Sequence, residues 1–360
     1  MSRIAAVCCA LPAHRHRQSD LAQMTAELCA VGHIQRSLIT RVYANAGVDT
    51  RHTVLPLSGY RDLDGLGPTN DLYIDHATAL GEEAVGGALA AAGVRPDEVD
   101  LLVVTSVTGV AVPSLDARLI PLLGLRSSVK RLPMFGLGCV AGAAGLGRVH
   151  DYLLAWPGQT AVLLSVELCS LSFPRTRPTT ADLVVSGLFG DGAVAVVARG
   201  EHVDQEGLGS SARAVPGPQI LASHSEVCPD SNDVLGWRLG AEGFRIVLTT
   251  ELSDIVAKYL GSCVREFLAE HALTVDDISS WVCHPGGPNV IDAVQRSLLL
   301  SDDSLEMTRR SLAQVGNMSS ASVLHVLKET AEHRRPPAGS LGLLIGLGPG
   351  VSIELILLRW

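Results

Sequence analysis

Apolar and β-branched residues gather in six short runs, at 100–105 (DLLVVT), 161–166 (AVLLSV), 193–198 (AVAVVA), 280–283 (SWVC), 341–345 (LGLLI) and 351–358 (VSIELILL). Runs this short and this apolar predict strands buried on both faces. The stretches 74–92, 114–123, 140–155, 242–271, 289–298 and 319–332 read as helices. Strands alternating with helices predict an α/β fold around a largely buried sheet.

The pattern repeats once. LFGDGA at 188–193 feeds one apolar run, and LGPGV at 347–351 feeds another. A glycine followed by a reactive or polar residue opens a helix in each part, at Gly138-Cys139 and at Gly316-Asn317. This predicts an internal duplication, with halves 1–205 and 206–360 joined through the Gly-, Ser- and Pro-rich segment 200–217. No short tandem repeat is visible.

Composition narrows the class. The 360 residues are 47% apolar, enough for more than one compact unit,. A net charge of −9 argues against a nucleic-acid partner, which needs a basic face,. It leaves room for a small anionic ligand, since a few arginines suffice for one phosphate. The eight cysteines contain no CxxC pair, which argues against a zinc or redox motif and suits scattered reduced thiols,. The first twelve residues imitate a signal peptide faintly. Their apolar stretch ends at Leu11-Pro12 and basic residues follow, so a short first strand is the expectation,. No apolar run reaches the ~18 residues of a membrane span, and the cytoplasm is the expected location.

The segment 134–147 (MFGLGCVAGAAGLG) carries the clearest chemistry. Glycines before Cys139 permit a sharp turn, and the small residues after it allow a closely packed helix. A cysteine at a helix N-terminus is a candidate nucleophile, because the helix dipole favours thiolate. Two other readings compete: a buried core thiol, and a dinucleotide fingerprint. Gly136-Leu-Gly138-Cys-Val-Ala141 fits GxGxxA, with Glu167 as the acidic residue, although Pro133 makes 130–135 a poor buried strand,. His284 follows the apolar run WVC and precedes Pro285-Gly-Gly-Pro, so it projects from a strand end, where α/β proteins gather ligands,. A structural strand-end histidine is the alternative. Asn317 precedes Met-Ser-Ser-Ala-Ser and reads first as a helix N-cap, and also as a neutral oxyanion donor,.

Together, Gly-Cys139, His284-Pro-Gly-Gly-Pro, Gly-Asn317-Met-Ser-Ser-Ala-Ser, Phe189-Gly-Asp-Gly-Ala and Gly346-Leu-Gly-Pro-Gly resemble the chalcone synthase-like type III polyketide synthases. The resemblance runs from about Arg41 to Trp360. The third-type β-ketoacyl-carrier-protein synthases share Cys-His-Asn, but normally not the Pro-Gly-Gly-Pro.

This resemblance implies a thiolase-like, duplicated αβαβα layered fold in a homodimer, with Val112 reaching into the partner's cavity. It implies Cys139 as acyl anchor, His284 as its imidazolium partner, and His284 with Asn317 as donors to a decarboxylating malonyl-CoA-type extender. No cofactor is implied beyond the CoA thioesters themselves. Arg41 is the implied CoA contact. Leu38 and Asn45 stand where the family carries basic residues, and Arg51 and His52 are candidates to compensate. Phe189 is the implied first gate, with Ile246, or Phe244 after a small shift, as the second. Cys169, Ser172, Val107, Gly348 and Pro349 are the other implied pocket residues.

The stretches 107–118 and 165–171 look most like actinobacterial members that take fatty acyl-CoA starters and release alkylpyrones. The expectation is therefore a medium- or long-chain aliphatic starter and lactone closure. An alkylresorcinol or a small phenolic acid product stays open. A nicotinamide-dependent oxidoreductase and a non-catalytic acyl-binding paralogue are the readings from other classes.

Overall fold

The computed structural model describes residues 1–29, 32–174, 178–203, 217–240 and 243–360. Nine strands form one mixed sheet in two parts. The first part contains β1 (Ser2–Ala10), β4 (Leu101–Thr105), β5 (Lys130–Met134), β6 (Thr160–Leu168) and β7 (Asp191–Gly200). The second contains β8 (Gln219–Val227), β11 (Ile278–Cys283), β12 (Leu341–Gly348) and β13 (Ser352–Arg359). The order across the sheet is β11-β12-β13-β8-β1-β7-β6-β4-β5. Two hairpin-like pairs lie outside it: β2 (His14–Arg17) with β3 (Thr50–Thr53), and β9 (Leu235–Gly240) with β10 (Gly243–Leu248).

Both parts are wired alike. In the first, β1 pairs antiparallel with β7, β7 antiparallel with β6, and β6 parallel with β4. In the second, β8 pairs antiparallel with β13, β13 antiparallel with β12, and β12 parallel with β11. A short pairing of Ser2 with Ile220 and Arg3 with Gln219 joins them. Every residue of β6 is buried, as its unbroken apolar run requires,. The expected boundary at 205/206 lies outside the described residues.

The helices are α1 (Gln18–Leu28), α2 (His33–Ala44), α3 (Leu66–Ala92), α4 (Leu115–Leu123), α5 (Ala141–Ala155), α6 (Thr180–Leu188), α7 (Leu252–Glu270), α8 (Pro288–Ser297), α9 (Glu306–Val315) and α10 (Ser320–His333). Helices α5 and α10 each pack on strands of both parts, forming a central layer. Helix α3 covers the outer face of the first part. This layering is thiolase-like. Small residues make the central layer possible: a Cβ at Gly142 of α5 would collide with the Ser320 carbonyl at the start of α10,.

One expected helix is wrong at its start. The segment from 242 was read as helical to 271, but Gly243–Leu248 is a strand paired to Leu235–Gly240, and the helix begins at Leu252. The apolar residues of Phe244-Arg-Ile-Val-Leu fit either period, and the cross-strand partner decides. Among the described residues no helix is long and apolar enough to cross a membrane.

Candidate active site

Cys139 sits on a single 3₁₀ turn, Gly138–Val140, directly before α5. Gly138 has φ +58°, and a Cβ there would strike the Pro349 ring. The turn therefore requires glycine twice over: for its left-handed backbone, and for the approach of the β12–β13 turn. Gly348 closes the same contact, since a Cβ on it would stand 2.7 Å from the Val140 nitrogen. Gly348 and Pro349 thus form a wall behind the nucleophile.

His284 follows the last residue of β11, and its N–H donates to the Ile345 carbonyl of β12 at 2.9 Å. The adjacent strand end continues to Gly348 and the Cys139 turn. His284 is buried at 2% exposure. Its Nδ1 is buried with no hydrogen-bond partner among the described residues. Among the described residues no hydrogen bond links His284 to Cys139 or to Asn317.

Asn317 is reached from another direction. Its Oδ1 accepts the Ser319 N–H at 2.8 Å and the Ser322 hydroxyl at 3.3 Å. A backbone N–H only donates, so the amide orientation is fixed and Nδ2 keeps both protons for another acceptor. Asn317 is not the expected N-cap, since Ser319 holds that position with no side-chain cap bond; its Oδ1 instead closes a turn just before α10,, which leaves the donor reading open. Ser319, which sequence reasoning missed, links this motif to the nucleophile: its Oγ lies 3.5 Å from Cys139 Sγ. Its φ of +48° is unusual for a residue with a side chain,.

Burial governs the site's protonation. It pushes the Cys139 thiol up to about 12, with the Ser319 hydroxyl opposing and the Glu167 charge reinforcing. It pulls the His284 imidazole down to about 3. Both shifts favour neutral forms near pH 7. Burial thus works against the expected imidazolium–thiolate pair, because desolvation penalises both charges,.

Phe189 is buried and forms a parallel bridge with Asn317. Cys169, whose thiol burial pushes well above its ordinary value, shares an apolar cluster with Cys139 and Phe189. Val107 is buried, and its N–H donates to Glu167. Ser172 and Ile246 line a cavity of about 650 Å³ with Thr108, Trp237 and Phe244. Phe244 and Ile246 lie two apart on β10, on one face, so both expected second-gate residues reach the cavity,. Cys139, His284, Asn317 and Phe189 do not line this cavity.

Three expectations change. Glu167 cannot hold a ribose: it is fully buried and accepts from Ser106, Val107, Thr108 and Ser320. The dinucleotide reading fails with it. Arg51 cannot meet a CoA phosphate. It is fully buried, and its Nη1 donates to the Ser186 and Phe189 carbonyls. His52 is turned to the Pro12 carbonyl at 2.6 Å. By contrast Arg41 is exposed in the last turn of α2, and Val112 is 93% exposed.

Comparison with known proteins agrees with this architecture. Residues 2–201 match the N-terminal domain of the chalcone and stilbene synthases, and residues 219–360 their C-terminal domain. A 1,3,6,8-tetrahydroxynaphthalene synthase of Streptomyces peucetius subsp. caesius is 51% identical, over 99% of this chain and 93% of its own length. The α-pyrone synthesis polyketide synthase-like Pks18 of Mycobacterium tuberculosis is 30% identical, over 94% of this chain and 86% of its own. The crystal structure of the tetrahydroxynaphthalene synthase of Streptomyces coelicolor A3(2), a bacterial type III polyketide synthase, superposes with a TM-score of 0.91 at 28% identity, covering 99% of both chains. The chain belongs to the chalcone and stilbene synthase family and is a type III polyketide synthase, a decarboxylating condensing enzyme.

Proposed function

We propose that this enzyme builds a polyhydroxylated naphthalene of the 1,3,6,8-tetrahydroxynaphthalene type from malonyl-CoA alone. The supporting observation is the 51% identity, over 99% of the chain, to an enzyme named for that product. The arithmetic closes. Five malonyl-CoA give C10H8O4, five CO2, five CoA and one water, matching the formula that name denotes.

In this reading neutral His284 takes the Cys139 proton as the sulfur attacks a thioester carbonyl. The C–S bond to CoA breaks, CoA leaves as thiolate and takes a proton from solvent, and His284 keeps the Cys139 proton on Nε2. An extender then binds with its thioester oxygen facing Asn317 Nδ2 and His284 Nε2. Its carboxylate C–C bond breaks, CO2 departs, and the electron pair passes to the thioester oxygen as an enolate. Donors placed where that charge develops stabilise it. The enolate carbon attacks the Cys139 thioester. The new C–C bond forms as the C–S bond breaks, and the longer chain returns to the sulfur for the next round.

Arg41 is the proposed CoA phosphate contact, and Phe189 with Ile246 and Phe244 the gate. Val112, at 93% exposure, supports a homodimer in which it enters the partner's cavity. The cytoplasm, where CoA thioesters are held, is the fitting location. No cofactor is needed beyond the thioesters.

A second reading keeps the aliphatic starter and alkylpyrone. Its support is the 30% identity to Pks18 and the cavity of about 650 Å³ beyond Ser172. Product mass spectrometry separates the two. Malonyl-CoA alone should yield the naphthalene. If product appears only when a fatty acyl-CoA is added, and its mass retains the alkyl chain, the second reading holds.

A further inference from the structure

Arg51 is the largest fully buried side chain among the described residues, and its burial lies at a helix end. The last carbonyls of α6 have no partners within the helix. Ser186 O and Phe189 O accept Arg51 Nη1 at 2.7 and 2.5 Å. Gly187 O accepts Gln18 Nε2 at 2.6 Å. Leu188 O accepts the Asn317 N–H at 2.8 Å, and the Gly190 N–H returns to Asn317 O at 2.9 Å. The backbone of Asn317 is therefore one member of the cap on α6, and Arg51 supplies the bonds on either side of it.

The aliphatic stem of Arg51 lies against the other side of this junction. A Cβ at Gly316 would stand 2.8 Å from Arg51 Cδ, and one at Gly190 would stand 3.6 Å from Arg51 Cβ. Tyr43 and Phe173 hold the guanidinium from beyond, with ring centroids 5.5 and 5.7 Å from Cζ. Its positive charge suits the negative end of α6. Burying it is nonetheless costly, because Nε and Nη2 have no partner among the described residues,. A residue serving packing alone would be better replaced by an apolar one.

We propose that Arg51 is a positioning residue that sets the Asn317 donor through the α6 cap. The proposal rests on the reading of Asn317 as an enolate donor. Loading at Cys139 depends on the 3₁₀ turn and His284, which Arg51 does not touch. Loading and decarboxylation should therefore separate.

The test compares Arg51→Lys with wild type, measuring Cys139 acylation by intact mass and CO2 release from labelled malonyl-CoA. Lysine keeps the charge but offers one nitrogen in place of the planar fork. Acylation per folded molecule should stay within about twofold, while CO2 release falls about 10²-fold. Asn317→Ala should fall comparably, and the double variant little further, as for groups acting as one unit. Gln18→Met removes a cap bond away from the bridge and should leave the ratio of the two rates unchanged. Tyr43→Leu loosens the guanidinium without deleting it and should shift the ratio in the Arg51→Lys direction; it serves if Arg51→Lys does not fold. Wild-type CO2 release in Arg51→Lys, or parallel loss of both rates in Arg51→Lys or Tyr43→Leu, overturns the proposal. If Asn317→Ala itself releases CO2 normally, the donor reading of Asn317 has failed and this proposal falls with it.

Discussion

The Cys139 thiol and the Ser319 hydroxyl stand 3.5 Å apart, joining the nucleophile turn of one half to the asparagine motif of the other. The hydroxyl is the group that opposes the upward push of burial on this thiol. Reactivity at Cys139 should follow from that balance.

Alkylation of Cys139 by iodoacetamide should rise steadily with pH. A folded value near 12, above the ordinary 9.0, leaves the thiol protonated at pH 7. Each pH unit from 7 to 10 should then raise the rate about tenfold, as the thiolate fraction grows. A plateau already reached below pH 7 would falsify the neutral resting pair and restore the imidazolium–thiolate pair. Ser319→Ala should slow alkylation further at every pH in this range.

Asn317→Asp separates two roles that Asn317→Ala confuses. Aspartate keeps an oxygen for the Ser319 N–H and the Ser322 hydroxyl, but Asn317 is 1% exposed, so the buried carboxyl should cost about 1–3 kcal/mol. It removes the Nδ2 donor and adds a negative charge beside the enolate. Decarboxylation should fall ~10²–10³-fold. Thermal melting and CO2 release on one preparation decide the matter: normal release from the folded protein would leave Asn317 with the turn before α10 alone.

Gly142→Ala should destabilise the whole molecule. The added methyl meets the Ser320 carbonyl where α5 and α10 touch, and neither buried helix has room to retreat. Overpacking of this kind costs about 1–3 kcal/mol. Denaturant unfolding should show a lowered midpoint, and an unchanged midpoint would mean that the two helices can part.

Ser172→Phe should shorten the product. Ser172 lines the cavity of about 650 Å³, and where that cavity receives the growing chain, an aromatic ring there leaves it less room. Products with fewer condensations should replace the wild-type compound, with Cys139 acylation preserved. The same product at the same rate would place the growing chain elsewhere.

Local sequence determined a great deal here. Strands such as Leu101–Thr105 and Thr160–Leu168 were legible because burial on both faces demands an unbroken apolar run,. The Cys139 turn was legible because glycine alone accepts its backbone. His284 and Asn317 were legible as a strand-end histidine and a cap-like asparagine, and their order along the chain carried the family resemblance. What the sequence left open depends on partners distant along the chain. Phe244–Leu248 became a strand because Leu235–Gly240 pairs with it. Arg51 read as a candidate CoA contact because a cation suits an accessible phosphate, yet the end of α6, more than a hundred residues on, gives it carbonyls to bind. The protonation of Cys139 and His284 was likewise undecided, since a residue's identity sets only its ordinary pKa. The depth at which tertiary packing buries the pair shifts both groups towards neutrality,.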